Sequence, residues 1–188
     1  MHPLILLAKE AVENYIKDGK IIEPPKDLLK EFFEKKSGTF VTIEKGGKIR
    51  GCIGTYLPTK KNIAEEIIYN AIAAATEDYR FGPIQKEELP ELSYTVYILS
   101  QPELIKDINE LNPKKFGIIV KTAPITFPHD RDAVFNGHLV AKTGLLLPDL
   151  ERIDTVEKQI SIACQKAGID SRTEKIIIYK FAVEKFKQ

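Results

Sequence analysis

The stretch Thr39-Phe40-Val41-Thr42-Ile43-Glu44-Lys45-Gly46-Gly47-Lys48-Ile49-Arg50-Gly51-Cys52-Ile53-Gly54-Thr55 decides the fold. Thr39–Glu44 reads as a strand. Gly46-Gly47 supplies the positive φ angles of a tight hairpin, and Lys48–Ile53 reads as the return strand. That strand runs into a turn in which two glycines flank a cysteine. Leu57-Pro58 follows. A long helix is expected over about 62–79, with Asn62 as its N-cap, Glu65 three residues on, and Ile63, Ile67, Ala71, Ala74 and Ala75 on its inner face.

Upstream, Leu4, Leu7, Ala8, Ala11, Val12, Tyr15 and Ile16 fall at helical spacing over residues 4–18, and Gly19 stops the helix. After Pro24-Pro25, Asp27 is placed to cap a short helix that would bury Leu28, Leu29, Phe32 and Phe33. Downstream, strands are expected at Leu92–Leu99 and Phe116–Lys121, and a β pair at Ala133–Val140 and Gly144–Leu147. Residues 122–132 read as a loop. A helix is marked by Asp154 with Glu157 and runs to Gly168, and Ile176–Val183 reads as a closing strand. Helices, hairpin, helix and then several strands do not alternate as βαβ units. The fold class is therefore α+β, a mixed and largely antiparallel sheet flanked by helices. The least regular stretch, about 106–150, is expected to contribute a smaller second lobe to one domain over residues 1–188.

Composition narrows the function classes. The chain has 188 residues, 43% hydrophobic and 29% charged, which is globular composition. A net charge of +1 creates no general field for nucleic acid or an anionic membrane. No apolar run reaches the roughly 20 residues that span a bilayer. The start of the chain lacks a secretory pattern, so the cytoplasm is the expected compartment. Two cysteines, Cys52 and Cys164, are too few for a disulfide framework and are expected to be reduced. Lysines outnumber arginines 23 to 5, with one Met and no Trp, a thermophile tendency.

The Arg50–Thr55 turn carries the chemistry. Glycine is used where backbone bends sharply or approaches something closely. The following helix could offer its free N–H groups to an anion, and Arg50, Lys60 and Lys61 are near in sequence. Arg50, Gly51, Gly54 and Thr55 are thus candidate binding residues for a small anionic ligand. Cys52 is the candidate nucleophile or redox thiol, against the alternative of a small buried hydrophobe. Arg80 and Glu88 are further binding candidates. A structural ion pair of Arg80 with Glu88, or with Asp78, competes with that role. The spacing fits neither a P-loop nor a dinucleotide fingerprint, and no metal-ligand spacing is present. His129 or His138 would serve Cys52 as a base only if the fold brought one beside it.

Ile49-Arg50-Gly51-Cys52-Ile53-Gly54-Thr55-Tyr56 closely resembles the signature of the AMMECR domain family. Asp78-Tyr79-Arg80-Phe81-Gly82-Pro83 is similar to its Asp-x-Arg-Phe-x-Pro segment. Glu87-Glu88-Leu89-Pro90, Leu99-Ser100-Gln101-Pro102, Gly144-Leu145-Leu146-Leu147-Pro148 and Cys164-Gln165-Lys166-Ala167-Gly168 resemble later blocks, in order. The chain departs at Ile153-Asp154, where the family commonly has Trp-Asp. The resemblance implies a compact two-lobed α+β fold and a site at the signature turn. It implies no established activity and no assigned cofactor. Its gene neighbourhoods suggest Memo-type or radical-SAM protein partners. Two functions stay open on the residues: a small-molecule or nucleotide-related enzyme, and a non-catalytic binding or adaptor module. Nucleic-acid association ranks third, since it needs a basic face that the net charge does not announce.

Overall fold

The computed structural model describes residues 1–122, 134–135, 138–139 and 141–188. The chain divides into two compact units: Met1–Gln101 with Glu184–Gln188, and Pro102–Val183.

The first unit packs two long helices on one face of an antiparallel sheet. Helix α1 (Pro3–Asp18) opens with Pro in its first turn and with the His2 imidazole accepting from Leu4 N. It ends at Gly19 in the left-handed region. Leu4, Ile5, Leu7, Ala8, Ala11 and Val12 form its buried stripe. Helix α2 is a single turn, Glu31–Glu34. Asp27 lies in the turn before it and does not cap it; Leu28 and Phe32 are buried there, Phe33 packs half-buried on the same core, and Leu29 is exposed. Strands β1 (Thr39–Lys45) and β2 (Lys48–Gly54) form the expected hairpin, with Gly46 and Gly47 at φ 57° and 75°. Helix α3 (Ile63–Thr76) starts on Asn62, whose side chain accepts from Glu65 N at 2.9 Å, and stops three residues earlier than expected. After a 3-10 helix at Lys86–Glu91, strand β3 (Leu92–Leu99) pairs with β1. Val41 and Ile43 of β1 and Tyr94 and Val96 of β3 turn inward with the stripes of α1 and α3 to make the core.

In the second unit, β4 (Glu103–Leu104) and β5 (Gly117–Thr122) precede the short pair β6 (Val134–Phe135) and β7 (His138–Leu139). Strand β8 (Thr143–Leu146) pairs with β5, not with the segment just before it as the sequence suggested. Most of the expected 122–132 loop lies outside the described residues. Helix α4 (Val156–Lys166) is capped by Thr155, whose hydroxyl accepts from Lys158 N. Asp154 is taken by Lys114 at 2.9 Å and is not the cap. Strand β9 (Ile176–Phe181) completes a sheet ordered β4-β9-β5-β8. The expected closing strand forms as β9, and beyond it the chain adds β10 (Val183–Lys187), which joins the first sheet in the order β10-β3-β1-β2. This sheet arrangement is α+β with antiparallel pairing. No helix among the described residues is long and apolar enough to cross a membrane.

Candidate functional site

A one-residue bulge builds the site. Counting back from the Gly46-Gly47 turn, Lys45 faces Lys48 and Glu44 faces Ile49, but Ile43 then faces Gly51. Arg50 is the extra residue. An uninterrupted ladder would set Cys52 opposite Val41, on the core face. The bulge sets it opposite Thr42 instead, on the face away from α1 and α3. Thr42 in turn faces Thr95 of β3. Cys52 is half-buried, and the Thr42 hydroxyl donates to its Sγ at 3.2 Å. Tyr97, opposite Phe40 on β3, lies on the same face. Burial pushes the Tyr97 phenol up, and the charge of Cys52 adds to that shift. Cys52 and Cys164 are not joined in a disulfide. Burial raises the Cys164 thiol, which sits in the core of the second unit.

The end of α3 closes over the outer edge of β2. Asp78, only 4% exposed, accepts the Cys52 backbone N–H at 2.9 Å on Oδ2. The same oxygen accepts Arg80 Nη2 at 2.7 Å, and Oδ1 accepts Arg80 Nε and N. The Cys52 amide and the Arg80 guanidinium therefore meet on one oxygen. The Arg80 hydrogen bonds hold the Asp78 carboxyl well below its ordinary range, at about 2. Asp78 in return raises Arg80, with a smaller contribution from the charge of Cys52. Arg80 lies 5.3 Å from the Phe81 ring centre, and its side chain is 46% exposed. Tyr79, between the two paired residues, is 95% exposed.

The bulged Arg50 reaches away from the hairpin to Glu88. Its Nε donates to Oε2 at 3.0 Å and its Nη2 to Oε1 at 2.8 Å. Nη1 and Nη2 also donate to the carbonyls of Gly82 and Pro83. This is the two-pronged geometry that favours arginine over lysine. The Arg50 hydrogen bonds hold Glu88 at about 2, and Lys45 adds a contact at 3.4 Å. Of the two partners the sequence left open for Arg80, the structure selects Asp78, and the Arg80–Glu88 pair does not form. Glu88 belongs to Arg50.

The turn after β2 also has its own anion. Glu66, 1% exposed on the first turn of α3, accepts from Thr55 Oγ1 at 2.6 Å, Thr59 N at 2.7 Å, Thr59 Oγ1 at 2.9 Å and Lys60 N at 2.7 Å. Thr55 is therefore a ligand of an internal carboxylate. The two glycines are required by packing inside the unit. A Cβ on Gly51 would lie 2.0 Å from the Ala74 carbonyl oxygen of α3. One on Gly54 would lie 2.2 Å from the Phe40 ring and 2.4 Å from the Thr39 carbonyl oxygen.

The sequence missed Thr42, Tyr97 and Glu66. Thr42 and Tyr97 sit at polar positions of the strand alternation, but only the bulge brings Thr42 opposite Cys52. Glu66 reads in sequence as one more surface charge of a helix. His2 stacks on Phe186 at 4.3 Å. The side chains of His129 and His138, the histidines considered as bases for Cys52, lie outside the described residues. Among the described residues no group of three or more His, Cys, Asp or Glu side chains is arranged to hold a metal ion.

Comparison with known proteins places this geometry in a family. The AMMECR1 family model matches residues 5–186. A protein of Thermotoga maritima is 46% identical over 187 residues, covering 99% of this chain and 98% of that protein. A Clostridium acetobutylicum protein is 42% identical over 99% of this chain, which spans 36% of its length. The crystal structure of the uncharacterized protein PH0010 from Pyrococcus horikoshii superposes with a TM-score of 0.83 at 33% identity, covering 98% of this chain and 89% of that one. The chain belongs to the AMMECR1 family.

Proposed function

We propose that the chain is a small-molecule enzyme of the cytoplasm, in which Cys52 acts as a thiol nucleophile toward a neutral electrophile bound on the outer face of the first sheet. One observation carries this reading. The bulge turns the Cys52 sulfur away from the core and onto the Thr42 hydroxyl, at 3.2 Å. A cysteine that served only as a small hydrophobe would gain more from the core face. The neutral character of the ligand rests on charge. Arg50 has Glu88, Arg80 has Asp78, and the amides of Thr59 and Lys60 have Glu66. A phosphate or carboxylate, including a nucleotide, would compete with these internal carboxylates for the same donors. The test is covalent profiling by intact mass. Neutral electrophiles of graded size should label wild type and not Cys52→Ser, while anionic metabolites should leave its melting temperature unchanged. Preferential stabilisation by phosphates that is lost in Arg50→Ala would support the anionic reading instead.

A second reading, an adaptor module, is favoured by Tyr79. A 95% exposed aromatic held between two locked residues is the kind of anchor that protein interfaces use. The partner would be of the Memo or radical-SAM type implied by the family resemblance. Tyr79→Ala should abolish capture of such a partner and leave Cys52 labelling unchanged.

A further inference from the structure

We infer that α1 and the turn before α2 form a docking pocket for an arginine side chain of a partner protein, on the helix side of the first unit and independent of Cys52. A cavity of about 210 Å³ lies there. Pro3, Leu6 and Glu10 line it from successive turns along one side of α1, and Pro25, Asp27 and Leu28 line it from the turn. Leu28 is buried and Leu6 is 44% exposed, so the cavity has an apolar wall and an apolar rim.

Charge decides what fits. Among the described residues, the carboxylates of Glu10 and Asp27 have no hydrogen-bond or ion-pair partner. Nearby acids are taken: Glu13 by Lys9 and Lys17, Glu31 by Lys35 and Glu34 by Lys30. No basic residue lines the cavity, in a chain with 28 lysines and arginines. Pro3 and Pro25 have no N–H to offer an anion. The complement is a cation on an apolar stem, which describes the long basic side chains. Arginine suits the place better than lysine. Its guanidinium is less strongly hydrated and presents a fork of donors to carboxylates, and interfaces are enriched in it. Volume decides the source. The cavity is smaller than the roughly 300–1,000 Å³ that encloses a drug-sized ligand, and it takes one side chain. Free arginine would also bring its own carboxylate up to Glu10 and Asp27, whereas an arginine within a protein chain would not.

The test is an NMR titration of the full-length chain with n-propylguanidinium, the arginine side chain from Cβ outward, beside n-propylurea and butyrate. The expected result is saturable shifts of the Leu6, Leu7, Glu10, Asp27 and Leu28 amides. The guanidinium should bind about three- to tenfold more tightly than the neutral urea, and butyrate should not bind. Glu10 is half-buried and Asp27 exposed, so the double variant Glu10→Gln/Asp27→Asn should keep its melting temperature. It should bind the guanidinium no better than the urea. Phage-displayed peptides selected on the full-length chain should be enriched in arginine beside apolar residues, and n-propylguanidinium should compete with them. Equal binding of guanidinium and urea, shifts spread over other acidic surfaces, or selected peptides without arginine would overturn the inference. Dimerisation in sedimentation that the double variant abolishes would give the pocket to a second copy of this chain and overturn the assignment to a separate partner.

Discussion

Asp78 Oδ2 accepts the backbone N–H of Cys52 at 2.9 Å, joining the end of the long helix to the outer edge of the signature strand. An edge strand otherwise presents open donors to other chains. Here the edge amide is answered by a buried carboxylate that Arg80 also holds. Asp78→Ala should leave the Cys52 amide and the guanidinium without that partner. We expect a loss of about 2 kcal/mol or more by urea denaturation, with Asp78→Asn losing less because it keeps an acceptor.

The acid limb of stability follows from the same carboxylates. Asp78 and Glu88 are both held at about 2, below ordinary values of 3.8 and 4.5. A carboxyl depressed in the folded state stabilises the protein above its unfolded value, and loses that contribution as pH falls toward its folded value. Stability should therefore be flat above about pH 5 and decline between about 4.5 and 2. The double variant Asp78→Asn/Glu88→Gln should show a shallower decline in denaturant titrations over that range. An unchanged slope would mean that these two groups do not set it.

Arg50 and Glu88 form a half-buried, two-pronged pair across 38 positions of sequence. A double-mutant cycle of Arg50→Ala and Glu88→Ala should give a coupling of about 1–3 kcal/mol, well above that of an exposed pair. A coupling near zero would make the pair incidental and return Arg50 to the list of ligand groups.

Gly51 has no room for a methyl group, since a Cβ would meet the Ala74 carbonyl oxygen at 2.0 Å. Gly51→Ala should cost about 2 kcal/mol or more, because strand or helix backbone must shift. Gly82, with nothing within 4 Å of a Cβ, is the control. Gly82→Ala should stay within about 0.5 kcal/mol of wild type.

Glu66 should behave as the latch of the Thr55–Lys60 turn. Glu66→Ala should raise hydrogen exchange at the Thr59 and Lys60 amides, which it now accepts at 2.7 Å each, while the β1 amides stay protected.

Local signals carried much of the fold. The stripe of α1, the Gly46-Gly47 hairpin, the Asn62 cap and strand β3 all rest on contacts close in sequence, and each forms where its pattern places it. The departures are tertiary. Asp154 was a plausible cap until Lys114, forty residues earlier, took its carboxylate. The closing strand forms as β9, while β10 beyond it was not expected and finds its partner, β3, in the other sheet. At the site, the turn was legible but its wiring was not. Glu88 and Asp78 were both open as partners of Arg80; the fold gives it Asp78, and Glu88 is reached by the bulged Arg50. The face on which Cys52 lies depends on a single extra residue; Gly51 and Gly54 allowed a bulge beneath a packed helix, but only the register places the extra residue at Arg50.

The central claim is that the bulge presents the Cys52 sulfur for reaction. The most direct measurement is the ratio of iodoacetamide alkylation rates at Cys52 and Cys164 in the native chain at neutral pH, read by peptide mass. Cys164 is a buried thiol in the same molecule and serves as the internal reference. The account predicts that Cys52 reacts at least about a hundredfold faster, and that the ratio collapses in denaturant. Equal rates in the native chain, or a Cys52 that reacts only after unfolding, would contradict it.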